Sequence, residues 1–248
     1  MANTGTMFIA GCSNAAGFDL QHPGDSEYNR NNSFGNLFAR KMGYTPINAG
    51  VGGATNTAIA RSVLHYVHSL DPREYSNNYV LIAWTDIDRL DMPWQWHIDH
   101  TYSNPHVEYY SEDFKLFNHI NVNWAGLGDE QALLPPYHDF IANNQTYMEI
   151  VTAQSIIMLQ NYLENRGIPY TMTNTMHMFN KFDSAPDPAV ELYKSWINCA
   201  NYHKPFDNSG CFYWYYRDLG YANRGDFWHH GSEAHSAYAD LLYDFVMS

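Results

Sequence analysis

The chain has 248 residues, 45% of them hydrophobic and only 16% charged, with a formal net charge of −13. That length and apolar share suit one large α/β domain with a sizeable core and speak against a disordered or coiled-coil protein. The acidity, without any run of Lys or Arg, speaks against a nucleic-acid partner, and no stretch approaches the roughly 20 apolar residues of a membrane span.

Met1 to Thr6 shows neither the charged nor the apolar region of a secretory leader. Met7 to Ala10 is a short apolar run that stops at Gly11-Cys12-Ser13, as a buried strand ending in a turn does. Ser33 is placed to cap a helix over 34–42, closed by Gly43. Thr45 to Val51 reads as a second strand ending in Gly52-Gly53. Residues 55–70 carry Ile59, Val63, Leu64 and Val67 at helical spacing. Tyr79 to Trp84 is continuously hydrophobic, as expected of a strand inside a parallel sheet.

From Asp91 to Asn143 periodicity is lost, which marks an elaborated loop or lid. A helix follows over 145–165, then a strand over 168–173. Helices are expected over 189–201 and 233–247. Aromatic residues reach 16% of the chain, and many fall in segments that read as irregular, such as Trp94-Gln-Trp96-His97 and Phe212-Tyr-Trp-Tyr-Tyr216. Core filling and loop packing is the simpler account of them; stacking platforms for a sugar are the sharper one.

Cys12, Cys199 and Cys211 are odd in number and widely spaced, which points to free thiols in a reducing compartment. No C-x-x-C or H-E-x-x-H spacing occurs, so no metal is expected. No cofactor is expected either, and nothing in the sequence specifies an oligomeric state.

Serine-based acyl transfer needs a nucleophile, a base, a group that orients the base, and donors for the developing oxyanion. Ser13 follows the first strand, where a hydroxyl can be presented at a turn. Near the other end, Asp226-Phe-Trp-His229 has a three-residue spacing that lets a carboxylate reach Nδ1 and leaves Nε2 for a serine. Ser13, Gly53 and Thr85 each follow a strand, so a parallel sheet would gather them on its carboxyl edge, where such sheets bind ligands.

In order and placement these elements resemble the SGNH (GDSL-like) hydrolases. Gly11-Cys12-Ser13 stands where that family has its nucleophile motif. Asn48-Ala-Gly-Val-Gly-Gly53, followed by Ala54-Thr55-Asn56, looks like the glycine block, and Asp226 with His229 matches the D-x-x-H block. The third block departs from the pattern: Ala83-Trp84-Thr85-Asp86 has Thr85 where the family has an oxyanion-binding Asn. The Trp-Thr-x-x-x-Arg89 pattern is similar to a divergent branch associated with tailed bacteriophages. The resemblance covers both ends and the core strands, with 91–143 unmatched.

Alternating elements and resemblance together imply one SGNH-like domain over 1–248. Its expected architecture is a three-layer α/β/α, flavodoxin-like parallel sheet of about five strands with a long aromatic-rich insertion. The implied activity is an esterase removing a small acyl group, such as acetyl, from a small-molecule or glycan substrate, in the cytoplasm or on a virion. Ser13, Asp226 and His229 would be catalytic; the backbone of Ser13 and Gly53, with Thr85, would bind the oxyanion; Asn56, Trp84 and His230 would contact substrate. A non-catalytic binding or virion-structural protein on the same scaffold is the alternative that Thr85 favours. A flavin-binding protein of flavodoxin type would leave D-x-x-H unexplained. Cys12 is expected to point into the core, His235 to be structural, and Arg61 and Arg89 to pair with Asp86 or Asp88.

Overall fold

The computed structural model describes residues 5–92, 118–121, 144–179, 186–221 and 229–248. In chain order the elements are β1 (Thr6–Gly11), α1 (Ser13–Ala16), α2 (Glu27–Asn31), α3 (Phe34–Lys41), β2 (Thr45–Asn48), α4 (Asn56–Ser69) and β3 (Asn78–Trp84). There follow β4 (Arg89–Met92), β5 (Asn118–Asn121), α5 (Gln145–Glu164), β6 (Tyr170–Asn174), α6 (Pro188–Lys194), α7 (Phe212–Asp218) and α8 (Ser232–Met247).

Four strands form a parallel sheet in the order β2-β1-β3-β6. Beyond β6 the chain makes one further parallel bridge, Met172 with Tyr202, where a fifth strand would lie. Tyr202 advances no further because Pro205 soon follows it and cannot donate to a ladder. β4 and β5 pair antiparallel and form a separate ribbon within the region expected to be irregular.

Side-chain alternation along the strands builds the two outer layers. Phe8, Ala10, Val80, Ile82 and Trp84 face a core shared with α4 and α5. Met7, Ile9, Tyr79, Leu81 and Ala83 face a second core with α3, α7 and α8. Both faces are covered, which is why β3 shows no polar alternation and is buried throughout. The sheet is thus sandwiched between helical layers, as the alternating sequence pattern implied.

Three local expectations are corrected. The second strand ends at Asn48 rather than Val51, because the Asn48 side chain accepts from Gly50 N–H and turns the chain. The helix expected over 189–201 stops at Lys194, capped at its start by Asp187 and followed by turns. Phe212 to Tyr216, read as irregular, lies in a helix whose buried residues Phe212, Tyr213 and Tyr216 share one face.

The chain order places a switch point beside β1. The link to β2 runs through α3 on one face, and the link from β2 to β3 runs through α4 on the other. Gly11 pairs with Ala83 at the carboxyl end of this central strand pair. A Cβ on Gly11 would stand 2.5 Å from the Ala15 Cβ and 3.0 Å from that of Ala83. Only glycine lets the chain fold back so closely over the sheet edge.

Buried histidines tie stability to pH. His235 is fully buried, and its Nδ1 accepts the Phe34 N–H at the start of α3 at 3.0 Å. Burial, then the charges of His230 and His229, lower its pKa to about 3. Burial, then Lys204, lowers His203 to about 4. Both groups bind protons less readily folded than unfolded. Their contribution is therefore complete above the ordinary histidine value near 6.5 and is lost as pH falls from there toward about 4 and about 3. The expected outcome is a thermal midpoint, followed by circular dichroism, that drops by about 5 °C or more between pH 7.5 and pH 5.5. A midpoint that stays level or rises would contradict the assignment.

Candidate active site

The carboxyl edge of β1 is organised by a one-turn helix. Cys12 keeps an extended backbone, Ala16 N–H donates to Cys12 O at 3.0 Å, and Phe18 N–H donates to Ser13 O at 3.0 Å. Gly17, in the left-handed region at φ 77°, closes the turn. Ser13 is thereby the first residue of the turn and is 8% exposed.

The glycine turn after β2 packs against the same segment. A Cβ on Gly52 would lie 2.9 Å from the Phe18 ring, whereas one on Gly53 would meet nothing within 4 Å. Gly53 has φ 76°, so its backbone adopts a conformation that side chains disfavour, beside open space. This is what a backbone donor to a ligand requires.

Asn48 holds the two segments together. Its Nδ2 lies 2.9 Å from Ala15 O, 3.0 Å from Ser33 Oγ and 2.9 Å from Asn36 Oδ1, while its Oδ1 accepts Gly50 N–H at 2.9 Å. Arg30 adds Nη1 bonds to Asn48 O at 3.1 Å and Gly50 O at 2.9 Å, and its other nitrogen pairs with Asp25. These groups are buried, so each hydrogen bond replaces one that water can no longer supply.

His229, 6% exposed, stands over this turn. Its ring centroid is 6.0 Å from that of Phe18, and its Nδ1 is 3.0 Å from Asp19 Oδ2. Ser13 and His229, some two hundred residues apart in sequence, are thus both gathered at the 13–19 segment. Asp226 lies outside the described residues.

The other site candidates have different surroundings. Thr85 is fully buried: its N–H donates to Asn56 Oδ1 at 2.8 Å, and its hydroxyl faces the Cys12 thiol. Asn56 returns a bond from Nδ2 to Thr85 O at 3.1 Å, so its carboxamide ties α4 to the end of β3. Trp84 is a fully buried core residue. His230 is fully buried as well; its Nε2–H donates to Tyr213 O at 2.8 Å and its ring stacks on Tyr213. Burial, partly offset by that bond, lowers its pKa. Trp84, Thr85 and His230 are 0% exposed and Asn56 4%, and each packs or bonds within the scaffold around the edge.

Cys12 lies in the core as expected, with Sγ 3.3 Å from Thr175 Oγ1. Burial raises the thiol, but the Arg89 charge and hydrogen bonds from Thr175, Thr85 and the Asn14 backbone outweigh it, and the net shift is downward. Arg89 itself donates to Ala54 O at 3.1 Å, joining β4 to the glycine turn. Among the described residues no group of three or more His, Cys, Asp or Glu is placed to hold a metal ion, and no helix is long and apolar enough to cross a membrane.

Sequence reasoning missed Asp19. Its neighbourhood carries no motif, and its approach to His229 depends on a turn closed through Gly24, visible only in three dimensions.

No protein-family model and no curated protein sequence matches the chain. Among solved structures it is similar to a carbohydrate esterase whose active site is described as displaying divergent catalytic and non-catalytic binding functions. That likeness has a TM-score of 0.48 and 10% identity, over 100% of this chain and 69% of the other. It is also similar to a carbohydrate esterase family 2 enzyme with a carbohydrate-binding domain from Corynascus thermopiles (Myceliophthora fergusii). There the TM-score is 0.45 and the identity 13%, over 98% of this chain and 67% of the other. At these values the likeness is one of chain course and assigns no residue.

Replacing Asn48 with Ala strands the Gly50 N–H and the Ala15 carbonyl in a dry environment. It is expected to cost about 2–4 kcal/mol, read from urea unfolding, with a smaller loss for Asn36→Ala. Equal stability of Asn48→Ala and the parent would rule out the hub.

Proposed function

We propose that the protein is a serine esterase of SGNH type that removes a small acyl group, such as acetyl, from a carbohydrate or other small ester. The observation that carries this reading is His229 standing over the turn that opens with Ser13, beside the open glycine turn at Gly53.

In the proposed reaction His229 Nε2 takes the proton from Ser13 Oγ as the oxygen bonds to the ester carbonyl carbon. The carbonyl pair moves onto oxygen, and the N–H groups of Ser13 and Gly53 hold the resulting oxyanion. Collapse breaks the bond to the alcohol, which leaves with the proton from His229. Water then adds to the acyl-serine by the same route, with His229 as base, and releases the acid. Asp226 steadies the imidazole through the D-x-x-H spacing. Because Thr85 is fully buried, this reading gives the oxyanion to backbone N–H groups rather than to its hydroxyl.

A specific observation favours the second reading, a non-catalytic protein on the same scaffold, including a virion component of the kind found in tailed bacteriophages. Burial of Thr85 leaves the third block without a side-chain donor, and loss of one such donor costs about a hundredfold to a thousandfold in rate.

The two readings separate in one experiment. A fluorophosphonate probe is expected to label the wild-type protein at Ser13, to leave Ser13→Ala unlabelled, and to react at least about a hundredfold more slowly with His229→Ala. Wild-type protein that stays unlabelled and turns over no short-chain acyl ester, yet binds an oligosaccharide, would select the scaffold reading.

A further inference from the structure

We infer that Asp19 is a positioning residue for the base, its carboxylate orienting His229 from the turn that follows the nucleophile; the inference rests on the serine-esterase reading above. D-x-x-H spacing assigns this task to Asp226. The geometry points to a second carboxylate, contributed from the opposite end of the chain.

Asp19 Oδ2 lies 3.0 Å from His229 Nδ1, and the two side chains are 21% and 7% exposed. Coulomb attraction at such a separation is only partly screened by water. The approach is an ion-pair separation without the alignment of a hydrogen bond, so the effect is electrostatic: the negative charge beside Nδ1 favours the proton there over Nε2 and offsets the positive charge that forms when Nε2 takes the serine proton.

The carboxylate is held rigidly. Asp19 adopts φ 55°, a left-handed conformation uncommon for a residue with a side chain. Its N–H donates to Gly24 O at 3.1 Å, and its other carboxylate oxygen accepts the Gly24 N–H. The fully buried Asn29 locks this loop from beneath. Its Oδ1 accepts from Gln21 N at 3.0 Å and His22 N at 3.1 Å, and its Nδ2 donates to His22 O at 2.6 Å and Gly24 O at 2.9 Å. Through Arg30, bonded to Asn48 O and Gly50 O, the same assembly is joined to the glycine turn. One oxygen of Asp19 thus closes the loop while the other meets the histidine. A loop-closing role alone would not require the second oxygen to face an imidazole.

That division of labour suggests the variant. Asp19→Asn can keep the left-handed backbone and the bond from Gly24 N–H while removing the charge. With 4-nitrophenyl acetate as probe, its kcat is expected to fall about tenfold to a hundredfold, with KM within about twofold and an unchanged thermal midpoint. Nitrogen-15 spectra of the His229 ring should show the Nδ1-protonated tautomer in the wild type and a mixture in Asp19→Asn. Unaltered kcat in Asp19→Asn, with activity lost only in Asp226→Asn, would overturn the proposal. Identical His229 spectra in the two proteins would overturn it whether or not turnover is seen. Spectra that differ while Ser13 takes up no fluorophosphonate would uphold the Asp19–His229 pair and refute the esterase reading instead.

Discussion

Where a parallel sheet meets its loops, strand ends leave peptide groups that the ladder no longer satisfies, and burial makes each of them costly. At this edge two asparagines answer that demand. Asn48 joins the turn after β1, the start of α3 and its own glycine turn, and Asn56 clasps both backbone groups of Thr85. A carboxamide has a donor and an acceptor on one small rigid group, which suits it to bridge backbone segments running in different directions. The positions of Ser13 and Gly53 follow from these bridges. Without them the turn that opens with Ser13 and the turn at Gly53 would have no common reference.

The same economy explains which residues remain for chemistry. Trp84, Thr85, Asn56 and His230 are all beside the edge in sequence, yet each is drawn into packing or into a hydrogen bond with backbone. Ser13 at the head of a one-turn helix, Gly53 in open space and His229 over Phe18 lie together at this edge, with Ser13 and His229 almost buried. The burial of Thr85 against Cys12 bears on reactivity. The Thr85 hydroxyl is fully buried, and the proposed reaction places the oxyanion on backbone N–H groups. Cys12 and Thr85 are both fully buried beneath this edge.

The environment of His229 sets this site apart from a plain D-x-x-H arrangement. A carboxylate from the turn that follows Ser13, pinned by Gly24 and Asn29, approaches Nδ1. Serine and carboxylate then belong to one short rigid segment, and the histidine is the part delivered from the far end of the chain. Ser13 and Asp19 would keep their mutual geometry even if the approach of the C-terminal segment varied.

Sequence by itself determined the strands, the helical layers and the glycine turns, because hydrophobic period and turn chemistry are local properties of consecutive residues. The unbroken apolar run of β3, the alternation of Met7 and Ile9 against Phe8 and Ala10, and the carboxyl-edge position of Ser13 and Gly53 were legible in this way. Helix α7 was not, since a run of aromatics reads equally well as loop packing until tertiary contacts show which face is buried. Only the tertiary structure decided the fate of polar residues: Thr85 inward, Asn56 and His230 on backbone, and Asp19 beside His229. A polar side chain takes whichever partner relieves the cost of its burial. That partner lies tens or hundreds of residues away, and local sequence carries no record of it.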